Sequence, residues 1–375
     1  MTKLDSGRRV IAVETVDAIC SRALAGSAPS AAEVEQLLRL PGPAAAEPLF
    51  AAAREQRQCH FGDAVFLYGF VYYSTYCRNS CAFCFYRAGN TVSPRYRKEP
   101  DEVVEICRSL ADSGVNLLDL TLGEDPQLFG SGDFSPLTGL VAAVRQATGL
   151  PIMVSPGVVP PRVLADLRAA GADFYAVYQE THSVELFARL RLGQDFEERV
   201  QARRDAHAAG LLVEDGLLSG VGDGPADRAR SLLAMRSAGD QQVRVMTLVP
   251  QEQTPLAEVP LPDTWQEVLT IAVMRLLMPD RLIPASLDVE GIEGLKSRLQ
   301  AGANVVTSLV PPQTGLCGVA HAEYEVDDGL RTVAEVRPRL AELGLRQGTQ
   351  TEYEAWLDAA RARWRRQQAA AEVRT

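Results

Sequence analysis

The stretch VFLYGFVYYSTYCRNSCAFCFYR, residues 65–87, decides how this chain is read. Its first ten residues are almost all apolar or aromatic, as a strand is. Directly after them Cys77, Cys81 and Cys84 follow a C-x3-C-x2-C spacing, so three thiols share one loop at the strand's carboxyl end. In a barrel of alternating strands and helices that end carries the chemistry.

Working outward, further short apolar runs recur at residues 116–123, 151–157, 173–180, 211–220, 243–250, 282–288 and 303–311, each followed by a longer amphipathic stretch. Eight such units predict a (β/α)8 barrel over 65–327. Periodicity does not show whether the first and last strands pair, so a doubly wound open sheet stays open as an alternative. Ala- and Leu-rich segments near 12–24, 30–40 and 44–57 predict an N-terminal helical extension over 1–64, and 328–375 reads as C-terminal helices and tail. Pro100 and Asp101 open one helix that Gly114 closes, and Gly291 and Gly302 bracket another. The final RARWRRQQAAAEVRT reads as a solvated helix face.

The chain has 375 residues, 46% of them hydrophobic, and a formal net charge of -10 with no long Lys/Arg cluster. That balance argues against nucleic acid, whose affinity rests on basic side chains releasing counterions, and favours a small-molecule substrate. No apolar run approaches the roughly 20 residues that span a bilayer, and the start MTKLDSGRRV lacks the apolar core of a secretory signal. A cytoplasmic protein away from the membrane is expected. Of the seven cysteines, Cys20, Cys59, Cys107 and Cys317 are scattered and read as small buried apolar residues. His60, His182, His207 and His321 show no metal-ligand spacing.

Three thiolates can hold three irons of a cubane and leave the fourth open to an amine and a carboxylate. Structural zinc normally takes four ligands in C-x2-C pairs, and no second pair follows here. Three unrelated buried cysteines would sit badly in a loop with Arg78, Asn79 and Ser80 between them.

C-x3-C-x2-C with Phe83 before the last Cys resembles the signature of the radical S-adenosylmethionine (SAM) superfamily. The resemblance implies a [4Fe-4S] cluster on Cys77, Cys81 and Cys84, with SAM on the open iron and a 5'-deoxyadenosyl radical as the reactive species. It also places Gly123 and Glu124 of TLGEDP in the glycine-rich segment that meets the SAM amino group. Longer segments, YQETHSVELFARLRLGQDFEERV, VEDGLLSGVG, VRVMTLVPQEQTPL and IPASLDVEGIEGLKSRLQAGANVVTSLVPP among them, are similar to the methylornithine synthase family of pyrrolysine biosynthesis from about Val65 to Pro312.

That likeness implies a radical isomerase. L-lysine becomes (3R)-3-methyl-D-ornithine by hydrogen abstraction, fragmentation and recombination, and an electron donor such as flavodoxin or ferredoxin reduces the cluster. It maps substrate contacts onto Asp119, Arg244, Ser286 and Asp288, and SAM contacts onto Glu180, Arg191 and Arg199. The residue types suit a diamino acid, which needs carboxylates for its ammonium groups and a forked cation for its carboxylate. Period-2 alternation sets Pro284, Ser286 and Asp288 on one face. Other readings stay open: an internal salt bridge for either aspartate, a surface role for Arg191 and Arg199, a biotin-synthase-like or hydrogenase-maturase activity on another small molecule, or a non-catalytic metal protein.

Overall fold

Eight parallel strands follow one another along the chain: β1 (Ala64–Ser74), β2 (Leu117–Leu122), β3 (Ile152–Ser155), β4 (Phe174–Ala176), β5 (Leu212–Ser219), β6 (Gln242–Thr247), β7 (Pro284–Ser286) and β8 (Val305–Leu309). The computed structural model describes residues 14–316, 318 and 331–372. Pairing runs in the order β6-β5-β4-β3-β2-β1-β8-β7. The ring closes at the foot of β6, where Val243 N donates to Leu282 O at 3.0 Å and Leu282 N to Gln241 O at 3.1 Å. The expected barrel is therefore what forms, and the open sheet is excluded because its two edges meet.

Each of the eight barrel strands falls within one residue of an expected segment, whereas a short ninth strand, β9 (Arg346–Gln347), which pairs with Ala64 and Val65 of β1, was not expected in the C-terminal region. β4 is the shortest relative to its segment because Glu180 takes φ 65°, which breaks the ladder and leaves a single bridge to Leu217. Buried asparagines lock two strand entries. Asn116 Oδ1 accepts from Leu67 N at 2.9 Å, and Asn304 Oδ1 accepts from Ile283 N at 2.8 Å. Gly69 lets the helix Pro100–Ser113 approach β1, since a Cβ there would lie 2.9 Å from Leu110. That helix ends on Gly114 at φ 95°, as its sequence predicts. The helix expected between Gly291 and Gly302 is shorter, spanning only Leu295–Gln300.

The N-terminal helices Val16–Leu24, Ala31–Leu37 and Pro43–Phe61 bury Ile19, Val34, Leu37 and Leu49 in the same core as Leu269 and Val273 of the helix Trp265–Leu277. At the amino end of the barrel, Phe66, Tyr68, Leu117, Met153, Phe174, Leu212, Leu282 and Val305 form the lowest inward layer. Tyr353, Leu357 and Ala360 of the last helix, Gln350–Glu372, pack onto it and plug the barrel floor. Tyr353 and Tyr68 hydroxyls lie 2.6 Å apart. This narrows the solvated reading of the tail: Arg361 pairs with buried Asp173 and Trp364 stacks on His207, while residues 365–369 are exposed as expected. Cys20 and Cys107 are buried as expected, whereas Cys59 is exposed. Cys317 and His321 lie outside the described residues. Among the described residues no helix is long and apolar enough to cross a membrane.

Candidate active site

Alternation by two carries the inward face from the apolar floor to the carboxyl ends of the strands, and there the residue types change. Leu117 is followed on that face by Asp119, Met153 by Ser155, Phe174 by Ala176, Tyr178 and Glu180, Leu212 by Glu214, and Gln242 by Arg244. A dry floor thus supports a charged upper layer. Two surface clefts, of about 1220 and 1010 Å³, lie against outer helices and include none of Asp119, Ser155, Tyr178, Glu180, Glu214 and Arg244.

On the far side of the mouth from the cysteine loop, Arg244 donates its Nε to Glu214 Oε1 at 2.8 Å. Its planar group sits 5.5 Å from the Tyr178 ring, and its Nη2 is buried without a hydrogen-bond partner among the described residues. Burial would depress this guanidinium, but Glu214, Tyr178 and Asp119 outweigh it and hold it charged. Asp119 accepts from Thr121 Oγ1 at 3.1 Å and Ser155 Oγ at 3.4 Å. Among the described residues it has no ion pair, and burial together with the Glu214 charge pushes its carboxyl up to about 7. Gly216, opposite Arg244 in the β5–β6 register, leaves room for the Tyr178 ring, which a Cβ would meet at 3.1 Å.

Asp288 is different. It accepts from Ser286 Oγ at 2.8 Å, Ser308 Oγ at 2.6 Å and Arg331 Nη1 at 2.9 Å. The internal salt bridge left open for this aspartate is thus present, with Arg331 as its cation. Ser308 and Glu180 are non-glycine residues held at φ 67° and 65°, a strained geometry that clusters at functional sites.

The other side of the mouth holds the thiols. Cys77, Cys81 and Cys84 lie in the loop after β1, and Cys84 is pushed up by burial and by its two neighbouring thiols. Gly123 closes against that loop, where a Cβ would meet Tyr76 O at 2.4 Å and Cys77 Cβ at 2.7 Å. Glu124 accepts from Arg78 Nε at 2.9 Å and Val158 N at 3.1 Å, and its side chain fills the space over Gly157. Asp125 is bound by both Arg97 nitrogens at 2.7 Å and by Ser74 Oγ at 2.6 Å. Arg191 donates to Glu180 Oε1 at 2.6 Å and to Tyr178 O at 2.9 Å, and Arg199 donates to the same carbonyl at 2.8 Å. Both arginines are buried, so the surface alternative is excluded. Burial, with Arg191 beside it, lowers Arg199 to about 10. Burial raises the Glu180 carboxyl against the opposing pull of Arg191 and Arg199.

The twelve sequence-predicted residues follow or end barrel strands at their carboxyl side: Cys81, Glu124, Glu180, Arg191 and Arg199 act on one another electrostatically, Asp119 lies within reach of the Arg244 charge, and Ser286 bonds Asp288. The sequence reading missed Glu214, Tyr178, Ser155, Ser308, Arg331 and Gln194. Parity along VEDGLLSG and YAVYQE could have found Glu214 and Tyr178. No local signal marks Arg331, which reaches Asp288 across 43 positions.

Comparison with known proteins gives the family. The family described as the radical SAM superfamily matches residues 71–233. The chain is 42% identical over 347 residues to 3-methylornithine synthase of Methanosarcina barkeri, covering 92% of this chain and 98% of that protein. It resembles a crystal structure of methylornithine synthase (PylB) with TM-score 0.85 and 41% identity, over 90% of this chain and 99% of that one. Likeness to the [FeFe] hydrogenase maturase subunit HydE of Thermotoga maritima is lower, 29% over 69% of this chain and 74% of that protein. The 92% coverage extends well past the Val65 to Pro312 span on which the sequence resemblance rests.

Proposed function

The chain belongs to the 3-methylornithine synthase family of radical SAM enzymes, and we propose that it isomerises L-lysine to (3R)-3-methyl-D-ornithine for pyrrolysine biosynthesis. Its cofactors are a [4Fe-4S] cluster and SAM. The loop fits the cluster: its thiols lie near enough for Cys77 and Cys81 to raise the Cys84 thiol, Asn79 N lies 3.5 Å from Cys77 Sγ, and Gln194 Nε2 lies 3.1 Å from Cys81 Sγ, as donors to thiolate sulfur should. When bound, cluster and SAM supply a 5'-deoxyadenosyl radical that takes a hydrogen atom from the substrate.

The observation that carries the substrate reading is the half-used guanidinium of Arg244. Glu214 takes Nε, Nη1 has only the weak acceptor Met246 Sδ at 4.0 Å, and Nη2 has no partner among the described residues, which leaves the fork to a carboxylate. Asp119, buried without a cation of its own, receives an ammonium group. Asp288, paired to Arg331, holds Ser286 at the end of β7, toward the second ammonium. Glu180, Arg191 and Arg199 would hold SAM, and Gly123 and Glu124 would bring backbone to its amino group. A small acidic electron-transfer protein such as flavodoxin or ferredoxin supplies the electron.

The test is anaerobic reconstitution with iron and sulfide, then incubation with reductant, SAM and L-lysine, followed by mass spectrometry after chiral derivatisation. A lysine isomer eluting with 3-methylornithine is the expected product. 5'-Deoxyadenosine without that isomer keeps the radical chemistry and sinks lysine as substrate.

A further inference from the structure

Gln194 connects the two buried arginines to the cysteine loop. It closes a turn begun by Arg191, with Gln194 N donating to Arg191 O at 3.0 Å and Gly193 at φ 75°. Glycine meets that left-handed requirement without strain. The side-chain oxygen, Oε1, accepts from Arg191 Nη1 at 3.4 Å and from Arg199 Nη1 at 3.2 Å. A guanidinium offers only donors, so both arginines must face the amide oxygen. The NH2 group is thereby turned the other way, where Nε2 stands 3.1 Å from Cys81 Sγ. Flipping the amide would set two N–H groups against two guanidinium donors and leave the sulfur facing an oxygen. Arg191 Nη1 lies 3.6 Å from the same sulfur, so both side-chain donors converge on Cys81.

We propose that Gln194 is a positioning residue for the iron–sulfur centre, its N–H aimed by Arg191 and Arg199 at the Cys81 thiolate so that the cluster accepts an electron more readily. Hydrogen bonds to ligand sulfur stabilise the extra negative charge of the reduced state and raise the reduction potential. The same two arginines fix both the amide and Tyr178 O, so the donor arrives oriented and pays little rotamer entropy on cluster assembly. This inference rests on reading the loop as the cluster site and is independent of lysine as substrate.

The experiment uses the full chain reconstituted anaerobically, with glutamine labelled by 15N in its side chain. Pulsed electron paramagnetic resonance of the reduced wild-type cluster is expected to show an exchangeable-proton and 15N coupling that Gln194→Leu lacks. Redox titration then compares Gln194→Leu with Gln194→Glu, which keeps an oxygen for both arginines but loses the N–H. Both are expected to be harder to reduce, by about tenfold in the reduced-to-oxidised ratio at fixed potential, roughly 59 mV for one electron. No 15N coupling in the wild-type protein, or an unchanged potential in a variant with full iron content, overturns the proposal. A wild-type chain that takes up no cluster overturns the reading of the loop, and this proposal with it.

Discussion

Replacing Asp119 by Asn should make the ligand-free protein more stable while removing its activity toward lysine. Burial and the charge of Glu214 raise the Asp119 carboxyl from 3.8 to about 7. At about 1.36 kcal/mol per pH unit, that gap is a cost of roughly 4 kcal/mol for carrying the charge in the folded state. The folded protein holds the Asp119 proton more tightly than the unfolded chain, so the favourable contribution is complete below pH 3.8. It is lost as pH rises towards 7. Asn has nearly the same shape, keeps an oxygen for Thr121 Oγ1 and Ser155 Oγ, and has no charge to desolvate. The stability advantage of Asp119→Asn over wild type should therefore be near zero at pH 4, grow through pH 5 and 6, and level off near 4 kcal/mol above pH 7. Urea unfolding followed by circular dichroism at each pH reads the difference between the two proteins, in which other titrating groups cancel. Lysine should raise the wild-type midpoint at pH 8 by giving the carboxylate its missing cation, and should leave the variant unmoved. A variant that is destabilised at pH 8, or a difference flat across pH, would refute the argument that Asp119 is a buried charge held for a ligand.

Arg244→Lys keeps a positive charge but loses the fork between Glu214 and the Nη edge. Losing one charged hydrogen bond of about 1.5–3 kcal/mol should cut kcat/KM for lysine by roughly 10- to 100-fold, seen in steady-state product formation with 5'-deoxyadenosine formation on SAM alone retained. Gly123→Ala would drive a methyl into Tyr76 O at 2.4 Å, a backbone atom of the cysteine loop. Its expected outcome is loss of iron uptake and of the visible iron–sulfur absorption, with an unchanged far-ultraviolet spectrum. Leu357→Ala empties part of the barrel floor, where Leu357 is buried against the lowest inward layer. It should lose about 2–5 kcal/mol of stability by urea unfolding while the folded fraction keeps its KM, because the floor lies a full layer of side chains below the mouth.

The strands and the cysteine loop were legible because they obey short-range rules. A buried parallel strand is a nearly unbroken apolar run, and three thiols at one spacing stand out against a chain whose other cysteines are scattered. What sequence could not show depended on distance through space. Closure needed the foot of β6 to find Leu282, and the fate of Asp288 depended on Arg331, a residue outside the barrel strands. The two aspartates look alike in LLDLTL and ASLDVEG, yet one is paired and the other is not. The tail was harder to read for a related reason: Tyr353, Leu357 and Ala360, which plug the barrel, recur at helical spacing just before the Arg- and Gln-rich end, whose first turn follows them onto the barrel through Arg361 and Trp364.

Tyr178 is the residue through which the two sides of the mouth are physically joined. Its carbonyl accepts from Arg191 and Arg199, on the side of the thiols. Its hydroxyl donates to Glu214 at 3.1 Å, and its ring lies beside the Arg244 guanidinium. Backbone and side chain of one residue thus set the separation between the place where the radical would be generated and the place where the carboxylate fork would hold the substrate. Hydrogen transfer between bound partners is steeply sensitive to such a separation, and a misplacement of about 1 Å can cost two orders of magnitude. The strained turn that ends at Glu180, two residues on, is therefore consistent with the rest of the site: an ideal ladder continued from β4 would carry Tyr178 and Glu180 along the barrel wall, whereas the φ of 65° brings Glu180 back to Arg191 and keeps the Tyr178 carbonyl between the two arginines. The residue held at this φ is also the one that pairs with Arg191 at 2.6 Å, so the turn and the ion pair are fixed together.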